Sequence, residues 1–171
     1  SGGARGMGAT EAKLFANEGA AVAIGDVLEE AGKRTEAEIN QSGGQALFVS
    51  LDVTSEQSWL DAIGATVAKF GGLDILVNNA GRSIRRSIKF TVGRFHDYER
   101  TMQLNYLDSI RLAMNLLPGM EARNEGHIIN VSTVGVQANP ARFSAYLASK
   151  WALEGWTWVA ANEYAHTKVR F

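Results

Sequence analysis

The chain contains no cysteine. That excludes a disulfide framework, a thiolate metal site and a cysteine nucleophile. Net charge is nearly absent: 17 Lys and Arg against 18 Asp and Glu give −1, without the basic excess of a nucleic-acid binder. No apolar run approaches the ~20 residues needed to span a membrane. No signal peptide opens the chain, so the expectation is a cytoplasmic enzyme or binding domain. Only two prolines occur, Pro118 and Pro140, and both are expected in connections. His96, His127 and His166 lack metal-ligand spacing, so no metal site is expected. What remains is an ordinary globular composition, 46% apolar over 171 residues, enough for one domain with a sizeable core. The chain opens without Met in a glycine cluster and stops at Phe171 in a strand-like segment. It is therefore expected to be a piece of a longer protein, truncated at both ends.

Short apolar runs alternate with amphipathic segments. Runs at 20–24, 46–53, 73–77, 127–131 and from Val169 suit parallel strands buried on both faces. Helical patterns cover 6–18, 28–41, 54–70, 96–117 and 144–165. Met7, Leu14 and Phe15 supply the apolar residues of the first. Thr54 and Gln57 have capping-box spacing, and Trp59, Ile63, Val67 and Phe70 share one face of the helix that follows. Pro118 is expected to stop the fourth helix. This alternation predicts βαβ units and an α/β, doubly wound parallel sheet.

Glycines at 2, 6 and 8 precede the first helix. Such a turn brings backbone N–H groups close to a pyrophosphate, and a helix N-terminus favours its charge. The spacing is G-x-x-x-G-x-G, and no G-x-x-x-x-G-K-[ST] is present, which disfavours a P-loop NTPase. Asp26 follows the next apolar run, 18 residues after Gly8, where an acidic group can bind ribose hydroxyls. Tyr146 and Lys150 are four apart and share a helix face. An ammonium beside a phenol favours its ionised form, which makes Tyr146 a usable acid/base for a hydroxyl or carbonyl.

Taken together, Gly2/Gly6/Gly8, Asp26, Leu51-Asp52-Val53, Asn78-Asn79-Ala80-Gly81, Asn105, Asn130-Val131-Ser132-Thr133 and Tyr146-Leu147-Ala148-Ser149-Lys150 stand in the order and spacing of the short-chain dehydrogenase/reductase family. The whole chain resembles that family. The resemblance implies a Rossmann-type NAD(P)-binding domain over 1–171 that interconverts an alcohol and a carbonyl. Gly2, Ala4, Arg5, Gly6 and Met7 match its cofactor-binding turn. Asp26 and the adjoining Val27 match the adenosine-ribose position, and Asp52 and Val53 the pair flanking adenine. Asn79, Ala80 and Gly81 belong to a segment lining the cofactor site. Asn105, a hydroxyl at 132–133, Tyr146 and Lys150 match the catalytic tetrad, with Lys150 also on the nicotinamide ribose. The family's spacing selects Thr133, 13 residues before Tyr146; its usual residue type selects Ser132. The family's first strand and everything after the start of its sixth are missing, so the chain is not expected to make a complete sheet. Asp26, with no arginine after it, implies NAD rather than NADP, although Arg5 marks NADP users in part of the family.

Residues 1–70 look like NAD-dependent alcohol or hydroxysteroid dehydrogenases. Residues 78–171 look like the reductase domains of bacterial fatty acyl-CoA reductases, through NNAGRSIRRS, RFHDYERTMQLNY and ARFSAYLASK. Arg82, Arg85, Arg86, Lys89 and Arg94 lie in a stretch without an acid. They read as a solvated loop or partner contact, or else as a handle for an anionic substrate such as a CoA phosphate. Trp151, Trp156 and Trp158 lie on the Tyr146 helix and read as core or subunit interface, since that helix packs between subunits of the family's homodimers or homotetramers. Two other functions compete. A nucleotide-sugar epimerase or dehydratase also uses a Tyr/Lys pair but usually carries G-x-x-G-x-x-G. A non-catalytic dinucleotide-binding protein would be favoured by loss of Tyr or Lys, and both are present.

Overall fold

The computed structural model describes residues 1–171. The chain divides into two compact units, Ser1–Leu73 and Asp74–Phe171.

The first unit runs α1 (Gly6–Asn17), β1 (Ala21–Asp26), α2 (Glu29–Gln41), β2 (Gln45–Ser50) and α3 (Glu56–Phe70). β1 and β2 pair in parallel, from Ala21 opposite Gln45 to Asp26 opposite Ser50, with α2 as the crossover. Ala12 and Ala16 of α1 join Ile24, Ile39 and Ala46 in the core, with Val22 and Phe48 packed against them. Met7 and Leu14 of α1 are exposed, and the short alanines face inward. The Thr54 capping box does not form. Asp52 Oδ1 accepts from both the N–H and the hydroxyl of Thr54, so the cap moves to Ser55, whose hydroxyl oxygen accepts from Ser58 N–H. The Trp59 indole donates to Val53 O and sets the rotation of α3. Its buried face is Trp59, Ala62 and Thr66, while Val67 is exposed.

The second unit runs β3 (Ile75–Asn78), a 3-10 turn (Ile88–Phe90), α4 (His96–Met102), a π-type turn (Gln103–Leu107), α5 (Asp108–Arg123), β4 (Gly126–Asn130), α6 (Gly135–Ala138), α7 (Ser144–Glu163) and β5 (Val169–Arg170). Its sheet is parallel, in the order β3-β4-β5. The single helix expected over 96–117 is interrupted by the π-type turn, and Pro118 lies inside α5, which continues to Arg123. An interior proline costs about 3 kcal/mol. Leu112, Leu117 and Met120 are buried on the same helix, and full burial of such a side chain stabilises by about 1.5–3 kcal/mol, so packing outweighs the proline.

The strands pair in parallel throughout, two in the first unit and three in the second. The α/β class and the βαβ alternation stand as read. No helix is long and apolar enough to cross a membrane.

Two glycines separate helix propensity from packing. A Cβ on Gly32 of α2 would lie 2.1 Å from Phe48 Cε2, whereas a Cβ on Gly64 of α3 would meet nothing within 4 Å. Gly→Ala gains about 1 kcal/mol of helix propensity, and overpacking costs about 1–3 kcal/mol. Denaturant unfolding should show Gly64→Ala more stable and Gly32→Ala less stable than the parent. A stabilised Gly32→Ala would contradict the packing of α2 on β2.

Candidate active site

In the first unit, Gly2 and Gly6 take φ of 67° and 58°, left-handed values that suit glycine. Arg5 precedes α1 without a side-chain cap, so the dipole-favoured N–H groups of the first turn suit an anion. Asp26 ends β1 and is buried. Its Oδ2 accepts from Ala4 N–H and its Oδ1 from Leu28 N–H, both at 3.0 Å. The Thr35 hydroxyl donates to Ala4 O, and Gly3 N–H to Gly25 O. Asp26 thus ties the glycine turn to the strand, a role its sequence position did not reveal. Each carboxylate oxygen keeps a second lone pair for a ribose hydroxyl. The turn and Asp26 fit a dinucleotide. Val27 and Met7 are exposed beside them. The Asp52 carboxylate turns back onto Thr54, whose hydroxyl and N–H hold it below the usual carboxylate range. Val53 accepts the Trp59 indole N–H through its carbonyl.

In the second unit, Asn78 at the end of β3 donates to Ser109 O and to Asn130 Oδ1. Asn130 donates to the Thr157 hydroxyl, which donates to Leu153 O. This relay fastens β3, β4, α5 and α7. Asn79, Ala80 and Gly81 follow β3, and Arg82 comes next. Asn105, in the π-type turn, is wholly buried. Its Oδ1 accepts from Arg82 N–H at 2.8 Å, and its Nδ2 donates to Arg82 O and to Ser149 Oγ, each at 3.0 Å. Ser149 in turn donates to Tyr146 O. π-type turns occur often at functional sites, and this one turns an amide onto the loop after β3 and onto α7. Ser149 lies in the YLASK motif, to which the family resemblance gives no role at that position. Its spacing, three residues after Tyr146 on a helix, was the available signal.

Lys150 is buried on α7, and its ammonium donates to Val131 O at 2.6 Å. Burial pushes its pKa down. The two adjacent hydroxyls after β4 have different partners. Ser132 donates to Glu154, one helical turn beyond Lys150. Thr133 Oγ1 accepts from Gly135 N–H at 3.2 Å, leaving its proton for another group. Tyr146 is half-buried, its ring edge-on to Phe143 at 6.4 Å. The structure joins Asn105 to α7 and Lys150 to the end of β4. No hydrogen bond links Tyr146 Oη directly to Lys150 or Thr133.

Residues 82–94 carry no acid, but Asp97 just beyond supplies one. Buried Asp97 lies 3.1 Å from Arg86 Nε and 3.2 Å from Arg94 Nε, with His96 Nε2 at 3.3 Å. A hydrogen bond from Arg94 is the main cause of its lowered pKa. Two of the five cations are thus paired with a buried carboxylate while their own side chains stay partly exposed. Trp151 and Trp158 are exposed, which removes them from the core, while Trp156 meets Phe171 edge-on.

The short chain dehydrogenase family profile matches residues 1–171. The chain belongs to this family. It is 44% identical over 169 residues to a fatty acyl-CoA reductase of Acinetobacter baylyi, covering 98% of this chain and 57% of that protein. That likeness extends through both halves, so it is not confined to residues 78–171. The chain spans little more than half the length of such curated relatives. Among solved structures, a metagenomic short-chain oxidoreductase in complex with NADP superposes with a TM-score of 0.90 at 30% identity, covering 99% of this chain and 75% of that one. NAD⁺-bound xylitol dehydrogenase gives 0.91 at 28% identity, covering 99% and 65%. These neighbours confirm the Rossmann-type fold.

Proposed function

We propose that this chain carries the cofactor-binding and proton-transfer parts of an NAD(P)-dependent oxidoreductase that interconverts an alcohol and a carbonyl. The observation that carries this reading is the Asn105 amide, which holds both the loop after β3 and the α7 turn that carries Tyr146, Ser149 and Lys150. The whole of 1–171 is read as one NAD(P)-binding domain. The glycine turn, Arg5 and Met7 would hold the pyrophosphate, Asp26 and Val27 the adenosine ribose, and Asp52 and Val53 the adenine. Asn79, Ala80 and Gly81 would line the cofactor. When bound, the nicotinamide cofactor supplies or accepts the hydride.

Tyr146 moves the proton: its hydroxyl donates to the carbonyl oxygen in reduction and accepts from the alcohol in oxidation. Lys150 presents a buried cation whose remaining donors suit the nicotinamide ribose, and its charge favours the phenolate form of a neighbouring tyrosine. Thr133 orients the substrate oxygen. Support for Thr133 over Ser132 comes from their partners, since Ser132 is committed to Glu154 while the Thr133 proton is not taken. Exposed Met114 on α5 and Trp151, Trp158 and Val159 on α7 support a homodimer or homotetramer. A cysteine-free chain needs no oxidising compartment, which accords with a cytoplasmic enzyme.

In the full-length protein, Tyr146→Phe should lower turnover by about 10²–10⁴-fold with cofactor binding nearly unchanged. Thr133→Val should cost roughly 10²–10³-fold, like the loss of one oxyanion donor, and Ser132→Ala much less. Steady-state rates with a panel of alcohols and aldehydes check this. Loss of under tenfold at Tyr146 removes it from the mechanism, and the reverse order at 132 and 133 makes Ser132 the substrate hydroxyl.

Asp26 carries the preference for NAD. Its carboxylate would face the 2′-phosphate of NADP, and like charges brought together in an interface cost on the order of several kcal/mol. Titration of both cofactors should show tighter NAD binding. Equal or tighter NADP binding would assign the preference to Arg5 instead.

A further inference from the structure

The structure divides the cations of the loop after β3 into two sets. Arg86 and Arg94 lie against the buried Asp97. Arg82 and Arg85 are exposed and lie against no carboxylate, and Arg142 in the loop before α7 is in the same state. The side chain of Arg85 and the backbones of Arg82 and Arg142 are held in place. Asn105 grips the Arg82 backbone on both sides. The Arg85 guanidinium lies over the Phe143 ring, its Cζ 5.8 Å from the centroid, and Phe143 meets the ring of Tyr146 edge-on. Arg86 N–H donates to Arg142 O at 2.6 Å, which joins the two loops a second time.

Arg142 adopts φ of 78°. That conformation costs energy in a residue with a side chain, and such strain clusters at binding and catalytic sites. Glycine would satisfy the backbone there. What arginine adds is a second guanidinium next in chain to Phe143. Asp97 is already matched by Arg86 and Arg94, and no carboxylate forms an ion pair with Arg82, Arg85 or Arg142.

We propose that Arg85 and Arg142, with Arg82 from the clamped loop, form an anion-binding site beside Tyr146. It selects substrates that carry a phosphate or carboxylate some distance from the reacting carbon. A planar guanidinium matches either group bidentately, and Phe143 pre-orients the one on Arg85, which lowers the cost of ordering it. The proposal rests on Tyr146 being the acid/base. It would make the substrate an amphipathic anion and not a simple alcohol.

The test is calorimetric binding to the full-length protein saturated with its preferred cofactor, with octyl phosphate, octanoate and 1-octanol as probes. The cofactor occupies the glycine turn, so a bound phosphate reports on the second unit. At low salt an anionic probe should bind at least about tenfold tighter than 1-octanol, the scale of one charge-assisted hydrogen bond. The advantage should shrink at roughly 0.5 M salt as screening shortens. Whichever anion binds tighter identifies the group recognised. Arg85→Gln and Arg142→Gly should each remove most of that advantage without weakening 1-octanol, and Arg142→Gly should keep or raise Tm by relieving the strained φ. Lys89→Gln, in the 3-10 turn at Ile88–Phe90, should change neither. Equal binding of charged and neutral probes overturns the proposal, as does an undiminished advantage in Arg85→Gln. Binding needs no turnover, so failure of Tyr146 as acid/base shows separately in rates on neutral alcohols.

Discussion

Asn105 sits at zero exposure with three partners on one amide: Arg82 N–H, Arg82 O and Ser149 Oγ. A buried donor or acceptor left unpaired costs about 1–3 kcal/mol, so these groups hold one another in register. The loop after β3 can take only the path that presents both sides of one peptide to that amide. The N-terminal half of α7 can take only the rotation that presents Ser149. Tyr146 and Lys150 then follow from helix geometry, because they share the face that Ser149 adjoins. The π-type turn serves the same end, since an uninterrupted helix over 96–117 would rotate residue 105 to a different face.

Carboxylates perform the corresponding task elsewhere. Asp26 spends one lone pair of each oxygen on a backbone N–H and so fixes the glycine turn before any ligand arrives. Asp97 gathers Arg86, Arg94 and His96 around one buried charge and shapes the loop that leads into α4. In both places the acid is structural first. That leaves a functional role to whatever remains unmatched: the second lone pairs of Asp26, and the guanidinium groups of Arg82, Arg85 and Arg142.

Strand positions were legible because runs such as 20–24 and 127–131 are too short for helices and too apolar for loops, and they fall within a residue or two of β1 and β4. Gly71 ends α3 with a left-handed φ of 85°, a conformation that glycine signals directly in sequence. The grouping of Asn105 with α7 was legible only through family resemblance, since nothing local in QLNYL announces a π-type turn. Local rules fail wherever a tertiary partner competes with them. Asp52 took Thr54 from its capping box, Trp59 rotated α3 away from Val67, and burial of Leu117 and Met120 carried α5 through Pro118. Asp97 is not legible as the acid of the basic loop because it lies three residues outside it, and only folding brings it back.

Native-state hydrogen exchange at the Arg82 amide tests the Asn105 clamp most directly. In the wild-type protein that amide, though it lies in a loop, should exchange as slowly as the amides of β4. In Asn105→Ala it should exchange faster by about tenfold or more, the equivalent of one buried hydrogen bond, while Ile128 and Ile129 in β4 stay protected. Rapid exchange of Arg82 in the wild-type protein, or protection unchanged by the substitution, would contradict the account.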